Sequence, residues 1–364
     1  MAEGVLLVGG KGTRLHPLTL DTPKPMLPVA GTPFVAHQLA RAREAGVRRL
    51  VLATSYHARV FEEYFGDGSA LGLELDYVTE DTPFGTGGAI RNVGGRLRSG
   101  PDDPVLVLNG DILSGVDLAA LLERHRTCGA DVTLHLTRVE DPRAFGLVPT
   151  DAAGRVLAFL EKPNPEQLST GPSGGAVTDQ VNAGCYVFRR SLIDAIPADR
   201  VVSVERETFP GLLAAGAQVQ GVADASYWLD VGTPATFVRG CCDLVTGQVR
   251  SPLLPGPPRD ALVLPGARVA PDAKLTGGTT VGAGAEIGGR ALVEGSVVFD
   301  GAVIGEDAEV RGSAVGREAV VGAASVLDGV TAGDRARIGP GNQLLGAERV
   351  WRDAVIPAGA IRFA

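Results

Sequence analysis

Gly9-Gly10-Lys11-Gly12-Thr13-Arg14-Leu15, followed at Thr22-Pro23-Lys24-Pro25-Met26 by a second basic turn, decides how this chain is read. The run begins directly after Val5-Leu6-Leu7-Val8, a short apolar segment of the kind that forms a buried strand. Glycines let the backbone approach a ligand closely and turn its N–H groups toward an anion, and Arg14 and Lys24 add fixed positive charge. That is chemistry suited to the phosphate tail of a nucleoside triphosphate. Two familiar phosphate loops do not fit. A P-loop needs Ser or Thr after its lysine, and Lys11 precedes Gly12. A dinucleotide loop needs a third glycine where Leu15 stands.

Working outward, residues 1–245 alternate strand and helix signals. Thr32-Pro33 reads as the cap and first position of a helix running to Gly46. Leu50–Ala53, Leu73–Val78, Val105–Leu108 and Val156–Leu160 read as strands, with helices expected over about 58–65 and 87–97. This alternation implies a mostly parallel, three-layer α/β sheet, in which ligands sit at the carboxyl ends of the strands. The glycine-rich loop and Asn109-Gly110-Asp111 both fall there.

Residues 246–262 are proline-rich and read as a linker. From 263 to 364, apolar residues recur every sixth position at Val263, Val269, Leu275, Val281, Ile287, Val293 and Phe299. After a slip the spacing returns at Ile304 and Val310, at Val315, Val321 and Leu327, and at Ile338, Leu344, Val350 and Ile356. One inward aliphatic per short strand, with small residues between, is the pattern of a parallel β-helix.

Composition narrows the function. At 364 residues the chain can hold two cores. A net charge of −8 gives no footprint for nucleic acid, and no apolar run reaches membrane-spanning length. Cys128, Cys185, Cys241 and Cys242 lack metal-ligand spacing and read as free thiols of a reducing cytoplasm. Only four lysines occur among 34 basic residues, and three of them (Lys11, Lys24, Lys162) lie in anion-binding stretches. Lysine's compact point charge is not always replaceable by arginine's planar fork.

The loop ending Gly-Thr-Arg-Leu, with the Pro-Lys-Pro turn after it, resembles the signature of sugar nucleotidyltransferases, the NDP-sugar pyrophosphorylases. The resemblance implies a Rossmann-like, GT-A-type nucleotidyltransferase domain followed by a left-handed hexapeptide-repeat β-helix. It implies nucleotide contacts from Val8, Gly9, Gly10, Gly12, Thr13, Arg14 and Lys24. Asn-Gly-Asp111 and Trp-Leu-Asp230-Val-Gly-Thr-Pro resemble the family's metal motifs, so Asp111 and Asp230 are the expected Mg²⁺ ligands. Two carboxylates suffice for a magnesium ion that arrives on a triphosphate and keeps several waters. Glu161-Lys162-Pro163 and Val181-Asn182-Ala183-Gly184 resemble the segments that hold the sugar phosphate, and Gly146 matches a family glycine on the same side. Arg14, Lys24, Asp111, Lys162 and Asp230 are thus the expected catalytic residues. One departure is His16, where the family usually has Arg.

Glu80-Asp81-Thr82-Pro83-Phe84-Gly85-Thr86-Gly87-Gly88 resembles the base-side motif of mannose-1-phosphate guanylyltransferases. Guanine offers two adjacent donors that one carboxylate accepts together, whereas uracil and thymine offer one donor beside acceptors and suit an amide. Glu80 is therefore either the guanine reader or a strand-end charge, with the base held by backbone at Gly85–Gly87. GTP and mannose 1-phosphate are the expected substrates. A uridylyl- or thymidylyltransferase for glucose 1-phosphate, a guanylyltransferase for another mannose-like phosphate, or a non-catalytic sugar-nucleotide sensor remain alternatives. An acyltransferase β-helix would want a histidine base, yet His16, His37, His57, His125 and His135 all precede it. The solenoid is expected to support a homodimer or homotetramer, because its ends and edges need covering.

Overall fold

Glu3–Leu7 forms strand β1 because a continuous apolar run is buried on both faces only inside a parallel sheet. The computed structural model describes residues 2–55, 58–80, 82–164 and 178–363. β1 lies between β2 (Arg49–Thr54) and β4 (Pro104–Asn109), parallel to both, and β3 (Glu74–Thr79) continues the sheet beyond β2. At the amino end, Glu3 sits opposite Arg49, and the two buried side chains pair at 3.1 Å.

Beyond β4 the sheet is mixed, not mostly parallel. The long strand β6 (Gln180–Arg189) runs antiparallel to β4 and to β5 (Val132–Arg138), while β7 (Val219–Ala223) is parallel to β5. Gly146–Leu147 and Leu160–Glu161 pair with each other, and Leu147 meets Val181 of β6. Between β5 and β6 the described residues include a 3₁₀ turn over Pro142–Ala144 and the short ladder of Gly146–Leu147 with Leu160–Glu161. The strand expected over Val156–Leu160 shrinks to Leu160–Glu161, since Leu157 is 61% exposed and has no apolar face to bury. The first long helix is Phe34–Glu44, because Thr32–Pro33 pairs with Pro28–Val29 as a small hairpin. The expected helices near 58–65 and 87–97 are Ala58–Phe65 and Gly85–Asn92, the latter continued by a 3₁₀ turn over Val93–Arg96.

Past Asp260, short strands stack into three parallel sheets of six, six and five strands among the described residues, consistent with a left-handed β-helix. Val281, Ile287, Val293, Ile304, Val310, Val315, Val321 and Leu327 form its apolar centre. Phe299 does not point inward. Val298 pairs in register with Val281 and Val315 and takes the central position, while Phe299 stacks on Phe237 of the helix Pro234–Val245 at 6.0 Å between ring centroids. Val263 shares the register of Val281 but remains 46% exposed in the first coil.

The chain packs as two compact units, one from Met1–Gly10 and Gln38–Trp228, the other from Lys11–His37 and Leu229–Ala364. No helix among the described residues is long and apolar enough to cross a membrane.

Candidate functional site

In the first unit, the Val8 N–H donates to the Ala53 carbonyl at 3.1 Å, and the chain then leaves the sheet through exposed Gly9 and Gly10. Gly10 has φ of 110°, a conformation that side chains rarely adopt. At the end of β4, the Gly110 N–H donates to the Leu7 carbonyl at 2.8 Å. A Cβ at Gly110 would come within 2.4 Å of that oxygen, so glycine alone lets the two strand ends close up. Asp111 follows immediately, half-buried beyond the carboxyl ends of β1 and β4.

Glu80 ends β3 and is buried. Its Oε2 accepts the Phe84 N–H at 3.2 Å, while its Oε1 is buried with no hydrogen-bond partner among the described residues. Burial raises its pKa above the ordinary carboxylate value, and the Phe84 amide offsets this only in part. Part of the Gly85–Gly88 backbone is engaged within this unit. The N–H groups of Gly87 and Gly88 both reach the Val202 carbonyl, and a Cβ at Gly85 would meet that oxygen at 2.6 Å. The Thr86 hydroxyl donates to Glu205 at 2.7 Å and accepts from the Val204 N–H. Asp81 lies outside the described residues.

Glu205 also connects to the sugar-side motif. Glu161 has a raised pKa, through burial first and the Glu205 charge second, with Lys162 and Arg206 opposing. Glu161 pairs with Gly146 across the short ladder, and a Cβ at Gly146 would fall 2.9 Å from Glu161 Oε2. Lys162 holds the left-handed conformation at φ 50°, its N–H donating to the Phe145 carbonyl at 3.0 Å. On β6 the register shifts between Asn182 and Tyr186. There Asn182 donates from Nδ2 to the Tyr186 hydroxyl at 2.8 Å and accepts the Gly184 N–H at 3.1 Å. Gly184 has φ of 73°, and a Cβ there would strike Asn109 Nδ2 at 2.8 Å. Trp228 Nε1 donates to the Ala183 carbonyl at 3.0 Å, with its ring edge-on to Phe145.

In the second unit, Gly12 has φ of 60° and packs on the Lys24 stem, where a Cβ would come within 3.0 Å. Its carbonyl accepts the Thr19 hydroxyl at 2.8 Å. Thr13–Leu15 then form one 3₁₀ turn, with Thr13 and Arg14 exposed and Leu15 buried. The Arg14 guanidinium lies over Gly232. A Cβ at Gly232 would meet Arg14 Nη2 at 2.8 Å and Asp230 Oδ1 at 3.0 Å, so this glycine makes room for both groups. Thr233, with Thr236, closes a capping box just after it, starting the helix Pro234–Val245.

Sequence reasoning passed over Asn109, Tyr186, Glu205 and Gly232. Asn109 and Gly232 stand inside quoted motifs, but their partners are distant in the chain, and no local pattern signals Asn109 against Gly184 or Glu205 against Thr86.

Among the described residues there is no group of three or more His, Cys, Asp or Glu that could hold a metal. Asp111 and Asp230 offer hard carboxylate oxygens, which suit a cation that takes most of its ligands from phosphate and water. A model of the nucleotidyl transferase family matches residues 3–246, and a model described as the GMPPB C-terminal domain matches 259–356. The chain is 58% identical over 287 residues to a mannose-1-phosphate guanylyltransferase of Mycobacterium tuberculosis, covering 79% of this chain and 76% of that one. It is 34% identical over 279 residues to the catalytic subunit beta of the same enzyme from Drosophila pseudoobscura, covering 75% of this chain and 72% of the relative. Among solved structures, HddC from Yersinia pseudotuberculosis complexed with GMP-PN matches with a TM-score of 0.55 at 26% identity, covering 66% of this chain and 98% of HddC. Nucleotidyltransferases of this kind generally use a divalent metal. The glycine-rich loop, the strand-end aspartates and these matches agree that the chain belongs to the nucleotidyl transferase family and is an enzyme.

Proposed function

We propose that the protein transfers a guanylyl group from GTP to mannose 1-phosphate, giving GDP-mannose and pyrophosphate. The observation that carries this reading is the 58% identity to the mycobacterial mannose-1-phosphate guanylyltransferase over 79% of the chain. An oxygen of the sugar phosphate attacks the α-phosphorus of GTP, a new P–O bond forms, and the bond to the β-phosphate oxygen breaks in line. The nucleophile is already anionic at neutral pH, since a phosphate monoester's second pKa is about 6. No general base is required. Catalysis is the positioning of two repelling anions together with charge neutralisation.

Backbone from Val8 to Thr13, with Arg14 and Lys24, takes the triphosphate. Lys162 takes the sugar phosphate, and Glu161 and Asn182 take sugar hydroxyls, with Gly146 and Gly184 admitting the sugar to the backbone. Glu80 accepts guanine N1–H and the 2-amino group, and its buried, unpartnered Oε1 supports that role over the backbone alternative at Gly85–Gly87. Asp111 and Asp230 would hold Mg²⁺, which supplies positive charge to the phosphates when bound. By sequence the division is 1–245 for chemistry, 246–262 for the link and 263–364 for the solenoid, with the protein cytoplasmic and self-associating through the solenoid.

The test is pyrophosphate release with Mg²⁺ across GTP, UTP, dTTP, ATP and CTP, each paired with mannose 1-phosphate or glucose 1-phosphate. Turnover confined to GTP with mannose 1-phosphate is expected. Preference for UTP or dTTP would overturn the role of Glu80, and release with no pair would favour a sugar-nucleotide sensor.

A further inference from the structure

The 3₁₀ turn Thr13–Leu15 and the segment after it rest on the side of the β-helix within the second unit. Arg349 Nη2 donates to the Arg14 carbonyl at 3.0 Å. The preceding carbonyls, of Gly12 and Thr13, are taken by the N–H groups of Leu15 and His16, so the solenoid provides a donor where the turn's own ladder ends. Trp351 meets the His16 ring edge-on at 6.0 Å between centroids. This is the position where the resembled family usually carries Arg. A Cβ at Gly333 would lie 3.0 Å from Pro17 Cβ, so the coil approaches Pro17 closely. Arg352 pairs with Asp21, and Arg317 Nη1 donates to the Thr22 hydroxyl at 3.3 Å. Five successive points of residues 14–22 are thus held by three coils of the solenoid.

We infer that the β-helix is a positioning element for the triphosphate loop, with Arg349 holding the Arg14 backbone so that its guanidinium stays over Gly232 beside Asp230. Trp351, Arg352 and Arg317 hold the following residues in register. Arg349 touches no substrate and acts through Arg14. The inference rests on the reading of Arg14 as a triphosphate ligand. It makes the solenoid part of the catalytic apparatus beyond any part in assembly.

The experiment uses the full-length protein and the Arg349→Ala, Arg349→Lys, Trp351→Ala and Arg290→Ala variants. With one exposed hydrogen bond lost and its effect passed on through Arg14, Arg349→Ala should lower kcat/KM for GTP by about 5–10-fold. KM for mannose 1-phosphate and the melting temperature should not change. Arg349→Lys should recover part of the loss, and Trp351→Ala should lower kcat/KM for GTP in the same direction. Arg290→Ala, on the same solenoid but paired with Glu306 and Asp307, should match the wild type. Amide hydrogen exchange without substrate is the second readout, and Arg349→Ala should speed exchange over residues 13–22. Wild-type kinetics together with unchanged exchange in Arg349→Ala would overturn the inference. If the wild type itself releases no pyrophosphate, the proposed function fails, while the exchange experiment still decides whether Arg349 positions the loop.

Discussion

Lys162 shows how much a single residue can reveal. A non-glycine residue in the left-handed region costs about 1–2 kcal/mol, and nothing in the Leu160–Glu161 ladder demands it. The conformation places an exposed ammonium group directly after the half-buried carboxylate of Glu161. Lys162→Gly is therefore expected to leave stability unchanged or raise it by about 1 kcal/mol. Its kcat/KM for mannose 1-phosphate should fall at least tenfold, as roughly one charge-assisted contact is lost. Thermal melting and initial rates check both, and a variant that is destabilised but fully active would remove Lys162 from the site. Glu80 gives the pH dependence. Its pKa is raised by burial, so it takes up a proton above the ordinary carboxylate range as pH falls. A protonated Glu80 cannot accept both guanine donors, so kcat/KM for GTP should drop through that raised value. Glu80→Gln should lose this acidic limb and lower GTP turnover at neutral pH by about 10–100-fold, the worth of one or two hydrogen bonds to a charged group. Ionised Glu80 opposes folding above its raised pKa, so the same variant should melt no lower than the wild type at pH 7. A Gln variant that keeps the limb would assign it to another group.

At the scale of elements, the apolar run Val5–Leu7 and the capped helix after Thr233 follow from local rules, and the strand before Asp111 was legible from four consecutive aliphatics. The six-residue spacing announced the solenoid equally clearly. What spacing could not decide was which of two adjacent apolar residues faces inward at a slip. Val298 and Phe299 are both buried, and only the stacking of neighbouring coils, 17 residues apart here, chooses between them. Phe299 goes outward because the ring of Phe237 and the guanidinium of Arg317 are there to meet it. A double-mutant cycle with Phe237→Leu and Phe299→Leu should give a coupling of about 0.5–1.5 kcal/mol. The corresponding cycle of Phe237→Leu with Val298→Ala should give none. Equal coupling in both would mean that the two neighbours have been assigned the wrong way round.

For the whole molecule, the proposed cation ligands Asp111 and Asp230 give a prediction that separates activity from stability. No protein-only cage of three or more His, Cys, Asp or Glu is present among the described residues. Removing divalent cations with EDTA should therefore stop pyrophosphate release and leave the melting temperature where it was, with activity restored by Mg²⁺. A fall of several degrees would reveal a structural metal.

The sequence by itself determined the reaction class and the α/β and β-helical architectures, and it supplied the residues proposed to touch substrate. Glycine, lysine and aspartate at set spacings carry chemistry that few other residues can supply, and hydrophobic period is a local property. Only the tertiary structure decided that β6 runs antiparallel and that Thr86 is hydrogen-bonded to Glu205. It alone showed that Gly232 makes room for the Arg14 guanidinium, and that the segment bearing Arg14 contacts coils about three hundred residues later in the chain. Those are contacts between segments remote in sequence, settled by which surfaces can be buried together, and no local pattern encodes them.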